Sequence, residues 1–230
     1  LIHGGGSTIE SSFGKLIPLL SDSITIIAVE LQAHGRTSDR EGPESFEQDA
    51  EDCIALLEKT GIKKAAVLGF SNGGNTAIQI VNKKPDLVDK LILASTFYKR
   101  EGLPQGFFEG MARATIDVMP QSLKNAFLKL TPDEQKLQTM FEKDRNRMLH
   151  FEDWDDSLLT AITAPTLIVN GDRDVPSVAH TVAMQQLING SRLLILPSVH
   201  GSYMGAAESV AEKQYVLSFF AETVKDFLNS

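Results

Sequence analysis

The chain has 230 residues, 42% of them hydrophobic and 23% charged, which suits an ordinary globular protein with one substantial core. Its net charge of −8, with no clustered basic stretch, speaks against a nucleic-acid or anionic-membrane partner. A single cysteine, Cys53, excludes an intrachain disulfide, and no apolar run approaches the ~18 residues of a membrane-spanning helix.

Leu1-Ile2-His3-Gly4 reads as the tail of a strand already in progress. It leads into a glycine-rich loop, His3-Gly4-Gly5-Gly6-Ser7, and a helix-like stretch from Phe13 to Leu20. Such a loop is either a flexible turn or a place where backbone N–H groups approach a ligand oxygen. Ile24 to Val29 is a continuous apolar run of strand length, as in a parallel sheet covered on both faces, and the polar loop Glu30 to Ser38 follows it. Gly42 and Pro43 break the chain, and Ser45 with Gln48 predicts a capping box. Phe46, Ala50, Cys53, Ile54 and Leu57 predict an amphipathic helix ending at Gly61, with Cys53 as a small core residue. Ala65 to Leu68 reads as a buried strand, a helix runs from Asn72 to about Lys84, where Pro85 stops it, and Leu91 to Ala94 is the next strand. This alternation makes right-handed βαβ units, so the expected fold class is α/β, a mostly parallel sheet covered by helices on both faces.

From Phe97 to Thr163 no strand-like run occurs. Helical pieces rich in Phe and Met (Phe107, Phe108, Met111, Met119, Phe127, Met140, Phe141, Met148) are divided by Pro104, Pro120 and Pro132. The expectation is a helical cap over residues 98–163, inserted into a core of residues 1–97 and 164–230. Flexible apolar side chains suit an adaptable substrate-facing surface, and packing of the cap onto the core is their competing use. The βα rhythm resumes at Pro165 to Val169, then the turn Gly171 to Pro176, a helix containing Ala183, Leu187 and Ile188, and a strand from Leu193 to Leu196. Pro197-Ser198-Val199-His200-Gly201 follows, and a last helix carries Val216, Phe219, Phe220, Val224 and Phe227 on one side. There is no internal repeat and no low-complexity segment.

The chemistry is concentrated at Gly69-Phe70-Ser71-Asn72-Gly73, a Gly-x-Ser-x-Gly spacing on a turn between a strand and a helix. Glycines leave room for a strained turn, and the helix beginning at Asn72 aims its N–H groups at charge developing beside Ser71. Asp174 and His200 likewise follow the ends of predicted parallel strands, the edge at which open α/β sheets bind ligands. A serine hydroxyl needs a base in reach, an imidazole can take and return its proton, and a carboxylate fixes the imidazole tautomer. Asp172 is the rival acid. His3 is expected to stabilise its loop, and His34 to be structural or exposed. His150 lies among Glu152, Asp153, Asp155 and Asp156, but that spacing fits no ligand pattern, so no metal is expected. Arg145 and Arg147 either meet an anionic substrate or are solvated.

In these motifs the sequence resembles the α/β-hydrolase fold family, in its capped single-domain branch. His3-Gly4-Gly5-Gly6 resembles the family's oxyanion loop, Gly69 to Gly73 its elbow, Gly171 to Pro176 its acid-bearing turn (one residue shorter than many versions), and Val199-His200-Gly201 its histidine loop. The resemblance implies a Ser71, Asp174, His200 triad, with the N–H groups of Gly5 and Asn72 as the oxyanion hole and with no metal or organic cofactor. It also favours Asp174 over Asp172. The stretch Glu30 to Ser38 departs from the family's Asp-x-x-Gly-x-Gly-x-Ser, with Glu for Asp and Ala33 for the first Gly. An antiparallel hairpin usually precedes the His-Gly loop, so residues upstream of Leu1 are expected, and with them any targeting signal; a cytoplasmic location is the default. The implied function is a carboxylesterase-like serine hydrolase acting on a small, apolar ester through an acyl-enzyme. The alternatives are hydrolysis of a C–C bond, lactone, amide or peptide, and a slow-turnover ligand receptor. The partner is a small molecule, and oligomeric state is not encoded in these motifs.

Overall fold

Parallel strands need long crossovers, and helices supply each of them. In a computed structural model, which describes residues 1–209 and 214–230, β1 (Ala65–Phe70), β2 (Val88–Ala94), β3 (Thr166–Arg173) and β4 (Arg192–Val199) form one parallel sheet in sequence order. Phe70 pairs with Ala94 and Ala94 with Val169, so β1 and β2 end level while β3 runs four residues further, to Arg173.

Side chains alternate across this sheet. Val67, Leu91, Leu93 and Ile168 pack on one face with α3 (Phe46–Lys59), α4 (Asn72–Lys83) and α9 (Val178–Leu187). Leu68, Phe70, Ile92, Ala94, Leu167 and Val169 pack on the other with α1 (Ile9–Phe13), α2 (Ile17–Leu20) and α10 (Gln214–Asn229). Burial on both faces is why these strands read as unbroken apolar runs. Cys53 is buried in the first of these layers, and burial pushes its thiol up to about 12, the behaviour of an inert core residue.

The expected strand at Ile24 to Val29 is reduced to a single bridge. Ile2 bridges Gly69 on one side and Val29 on the other. The stretch from Phe13 to Leu20 is two short helices. Thr8 starts α1 early with a reciprocal capping box to Ser11, and Pro18, which donates no N–H, opens α2. Only half of the predicted box at Ser45 forms: Ser45 accepts from the Gln48 N–H, while the Gln48 amide donates to Asp52. On α10, Val216, Phe220, Val224 and Phe227 are buried at spacings of three and four, but Phe219 falls off that stripe and is 53% exposed.

Between β2 and β3 lie α5 (Phe107–Arg113), α6 (Gln121–Leu130), α7 (Glu134–Leu149) and α8 (Ser157–Thr160). Pro120 precedes α6, and Asp133, next to Pro132, caps α7 by accepting from the N–H groups of Gln135 and Lys136. Two apolar clusters join this segment to loops of the sheet layer: Ala33 with Met119, Leu123, Phe127, Leu137 and Met140, and Phe46 and Phe97 with Leu103, Met148 and Phe151. Among the described residues no helix is long and apolar enough to cross a membrane.

Candidate active site

Ser71 sits where β1 turns directly into α4, at φ 51° and ψ −122°, a strained backbone for a residue with a Cβ. The turn closes because its neighbours lack one. A Cβ on Gly69 would lie 2.2 Å from the Gly73 carbonyl oxygen, and one on Gly73 would lie 2.2 Å from that of Ile2.

Asp174 and His200 come from the ends of β3 and β4. The His200 Nδ1 lies 2.6 Å from Asp174 Oδ1, and because a carboxylate only accepts, Nδ1 carries the proton and Nε2 keeps its lone pair. Asp174 also accepts from the N–H of Gly171 at 2.8 Å and of Val175 at 2.7 Å. Burial would raise its carboxyl; the hydrogen bond and charge of His200, with the Ser95 hydroxyl and the Gly171 N–H, outweigh that and hold it below the ordinary carboxylate value. Asp172 is placed elsewhere, half-exposed and accepting from the Ser198 N–H at 2.9 Å.

Two residues missed by the sequence reading complete this arrangement. Ser95, at the end of β2 with φ 52°, donates to Asp174 Oδ2 at 2.6 Å, and the buried Tyr203 hydroxyl lies 2.8 Å from Ser95 Oγ. Since the Ser95 proton points to the carboxylate, Tyr203 donates to Ser95. The signal was its position: Ser95 directly follows the end of β2, as Ser71 follows the end of β1.

Ser71, Asn72, His200, Gly5 and Gly6 line one cavity of about 280 Å³. Phe107, Met111, Met119, Phe141 and Met148 reach its wall, whereas Phe127 and Met140 are buried in packing and Phe108 lies under the Arg100 guanidinium at 3.7 Å. Arg145 lines the cavity as well, with a buried Nε that has no hydrogen-bond partner, while Arg147 is sunk in a cluster of ions.

That cluster links α7 to the loops beneath it. Asp144 accepts from the Gly6 N–H and from Arg147, and its Oδ2 lies 3.0 Å from His34 Nε2; Arg147 pairs with Asp49 at 2.7 Å and lies 3.8 Å from Glu44. His34 is fully buried, with Nδ1 2.7 Å from the Gln32 carbonyl, so both its nitrogens donate and it is a cation. Burial alone would lower it, but the charge and hydrogen bond of Asp144 raise it to about 9. His3, 4.9 Å away, is its opposite. Its Nε2 accepts from the Leu31 N–H and its Nδ1 donates to the Gly4 carbonyl, a neutral ring that burial and the His34 charge hold at about 3. The expectation of a loop-stabilising His3 matches this geometry, and His34 proves structural and not exposed.

These shifts set a stability profile. The His3 contribution is complete above its unfolded value near 6.5 and is lost as pH falls toward 3; that of Asp144, whose carboxyl Arg147 and His34 hold low against burial, is lost as pH falls below the ordinary carboxylate value. The His34 contribution is complete below ~6.5 and lost as pH rises through about 9. Glu44, raised to about 7 by burial and then by the Asp144 charge, loses its share between its ordinary carboxyl value and 7. The urea midpoint is therefore expected to peak in the mildly acidic range and fall on both sides, and His34→Gln should flatten the alkaline limb. A midpoint constant between pH 6.5 and 9 in the unmodified protein would contradict this.

Comparison with known proteins fits this architecture. The profile of the alpha/beta hydrolase fold family matches residues 1–119, just over half of the chain. The chain belongs to that family. Human Serine hydrolase BPHL is 27% identical over 201 residues, covering 82% of this chain and 67% of the relative. The Pimeloyl-[acyl-carrier protein] methyl ester esterase of Neisseria meningitidis serogroup C is 26% identical over 238 residues, covering 92% of this chain and 89% of that protein. Across curated relatives the matched share of their own length varies widely, down to 30% for one of them. Among solved structures, the 2-hydroxy-6-oxo-6-phenylhexa-2,4-dienoate hydrolase of Rhodococcus sp. strain RHA1 superposes with a TM-score of 0.80 at 16% identity, covering 100% of this chain and 89% of that one. The three relatives named here carry the names of a serine hydrolase, a methyl ester esterase and a dienoate hydrolase.

Proposed function

We propose that this family member is a serine hydrolase that cleaves a small, largely apolar ester or related acyl compound by way of an acyl-enzyme. The observation that carries the proposal is the 2.6 Å hydrogen bond of His200 Nδ1 to the four-times-bonded Asp174, in the same cavity wall as Ser71 on its strained turn. Ser71 Oγ attacks the carbonyl carbon as His200 Nε2 takes its proton. The imidazolium, steadied by Asp174, then protonates the leaving alkoxide, and water repeats the sequence to release the acid. Gly5 and Asn72 N–H groups receive the oxyanion, and the helical segment of residues 98–163 acts as the cap that shapes the acyl site. A cytoplasmic setting and a small-molecule substrate belong to this reading.

Arg145 supports a second feature of this reading. It is the only guanidinium in the cavity wall among the described residues; its Nη1 donates to the Ala114 carbonyl at 3.0 Å, and its charge suits a substrate bearing a carboxylate at the far end of an apolar acyl chain. A panel of p-nitrophenyl esters graded in length, with ω-carboxylate and neutral ends, run beside lactones and aminoacyl amides, tests the class. A fluorophosphonate probe should label Ser71 stoichiometrically. A correctly folded protein that neither takes the label nor turns over any member of the panel would be a ligand-binding module instead.

A further inference from the structure

We propose that Asp144 of α7 is a positioning residue for the oxyanion loop, holding the Gly6 N–H so that the neighbouring Gly5 N–H faces the reacting carbonyl. The proposal rests on the hydrolase reading for its kinetic consequence and on geometry for the clamp itself.

Gly5 and Gly6 are consecutive: the Gly5 N–H belongs to the peptide before the Gly5 Cα and the Gly6 N–H to the one after it, so fixing the second plane narrows the φ and ψ open to the first. The Gly6 N–H is taken by Asp144 Oδ2, while the Gly5 N–H has no acceptor among the described residues. The same carboxylate lies against Gly5: a Cβ there would stand 3.2 Å from Asp144 Oδ2 and 2.5 Å from the Asn72 amide nitrogen. Gly6 has φ 64°, so this loop is built of residues with wide conformational freedom and needs an external fastening to hold one geometry. The fastening comes from a residue 138 positions away, on a helix outside the sheet layer.

A carboxylate beside an oxyanion is electrostatically wrong, and its surroundings correct it. Arg147, one turn further along α7, donates to Asp144 Oδ1, and the doubly donating His34 stands on Oδ2. The two cations turn a repelling charge into a strong hydrogen-bond acceptor in a neutralised setting. Asp49 in turn anchors Arg147 to α3, so the seat of the clamp is the sheet layer itself. Docking of α7 and assembly of the oxyanion site are thereby one event.

The test compares Asp144→Ala and Asp144→Asn with the unmodified protein, with active sites counted by fluorophosphonate titration. In the Ala variant, kcat per active site for a p-nitrophenyl ester should fall about 10–100-fold with KM within about 3-fold, since orientation in the transition state is lost and ground-state binding is not. Affinity for a trifluoromethyl ketone, which presents an oxyanion, should fall in parallel. The Asn variant keeps an acceptor oxygen and should recover much of kcat. Amide hydrogen exchange at Gly6, read by NMR, supplies a readout independent of any activity: the Gly6 N–H should be protected in the unmodified protein and exchange faster in both variants, most in Ala. Unchanged Gly6 exchange would overturn the clamp. Faster exchange with unchanged kcat per site would overturn the catalytic consequence, as would equal losses in the Asn and Ala variants. An inactive, unlabelled protein with a protected Gly6 amide would refute the hydrolase reading and leave the clamp standing. Should the Ala variant not fold, Asp144→Ser, whose short side chain gives up the Gly6 N–H, takes its place in these comparisons.

Discussion

Ser71→Ala is expected to lower kcat on an activated ester by ~10⁶-fold while leaving the fold intact, the loss seen when the nucleophile of such a unit is deleted. The Cβ and its backbone remain, so the tight turn over Gly69 and Gly73 still closes, and the hydroxyl is not among the groups whose hydrogen bonds hold the fold. Relief of strain at φ 51° plays no part, because alanine has the same Cβ as serine. What disappears is covalent chemistry. The residual rate should reflect oxyanion N–H groups and binding alone, and it should be insensitive to a further change at His200, since a base with no serine to deprotonate has nothing to lose. Turnover by the alanine variant within tenfold of the unmodified rate would remove Ser71 from the mechanism.

The second large effect separates two neighbouring carboxylates. Asp174→Asn is expected to reduce kcat by ~10⁴-fold, because an amide can donate where a carboxylate only accepted, which allows the imidazole to settle in the tautomer that offers Ser71 a proton instead of taking one. The amide must also fit four donors (His200, Ser95, and the N–H groups of Gly171 and Val175), and one NH₂ cannot accept from any of them. Asp172→Asn disturbs a single bond to the Ser198 N–H at a half-exposed site and should change kcat less than about threefold. Measuring both variants by steady-state kinetics decides between them: a large loss at Asp172 with a small one at Asp174 would transfer the acid's role.

Why some of this could be read from sequence and some could not follows from distance along the chain. Ser71, Asp174 and His200 each stand just after an apolar run, so local pattern alone places them at one sheet edge. Gly69 and Gly73 announce a tight turn by composition. Ser95 follows a strand in the same way and escaped notice because a hydroxyl there has no local meaning until a carboxylate 79 positions away comes within reach. Asp144 and Arg147 sit in a polar helix that reads as solvated. Their burial depends on His34 and Asp49, 110 and 98 residues distant, and only the folded chain brings those charges together. Ile24 to Val29 differs for the converse reason: strand-like composition does not by itself make a ladder, and of this run only Val29 is bridged.

Phe70 carries a consequence of its own. Its ring lies tilted against that of His200, centroids 4.9 Å apart, and a Cβ on Gly201 would come within 2.5 Å of it, so the loop bearing the imidazole rests on the residue that precedes Ser71 in the chain. Ser71 and His200, the proposed nucleophile and base, thus share one footing, and a substitution that shrinks the Phe70 ring removes the support of the histidine loop as well as the packing beside the serine.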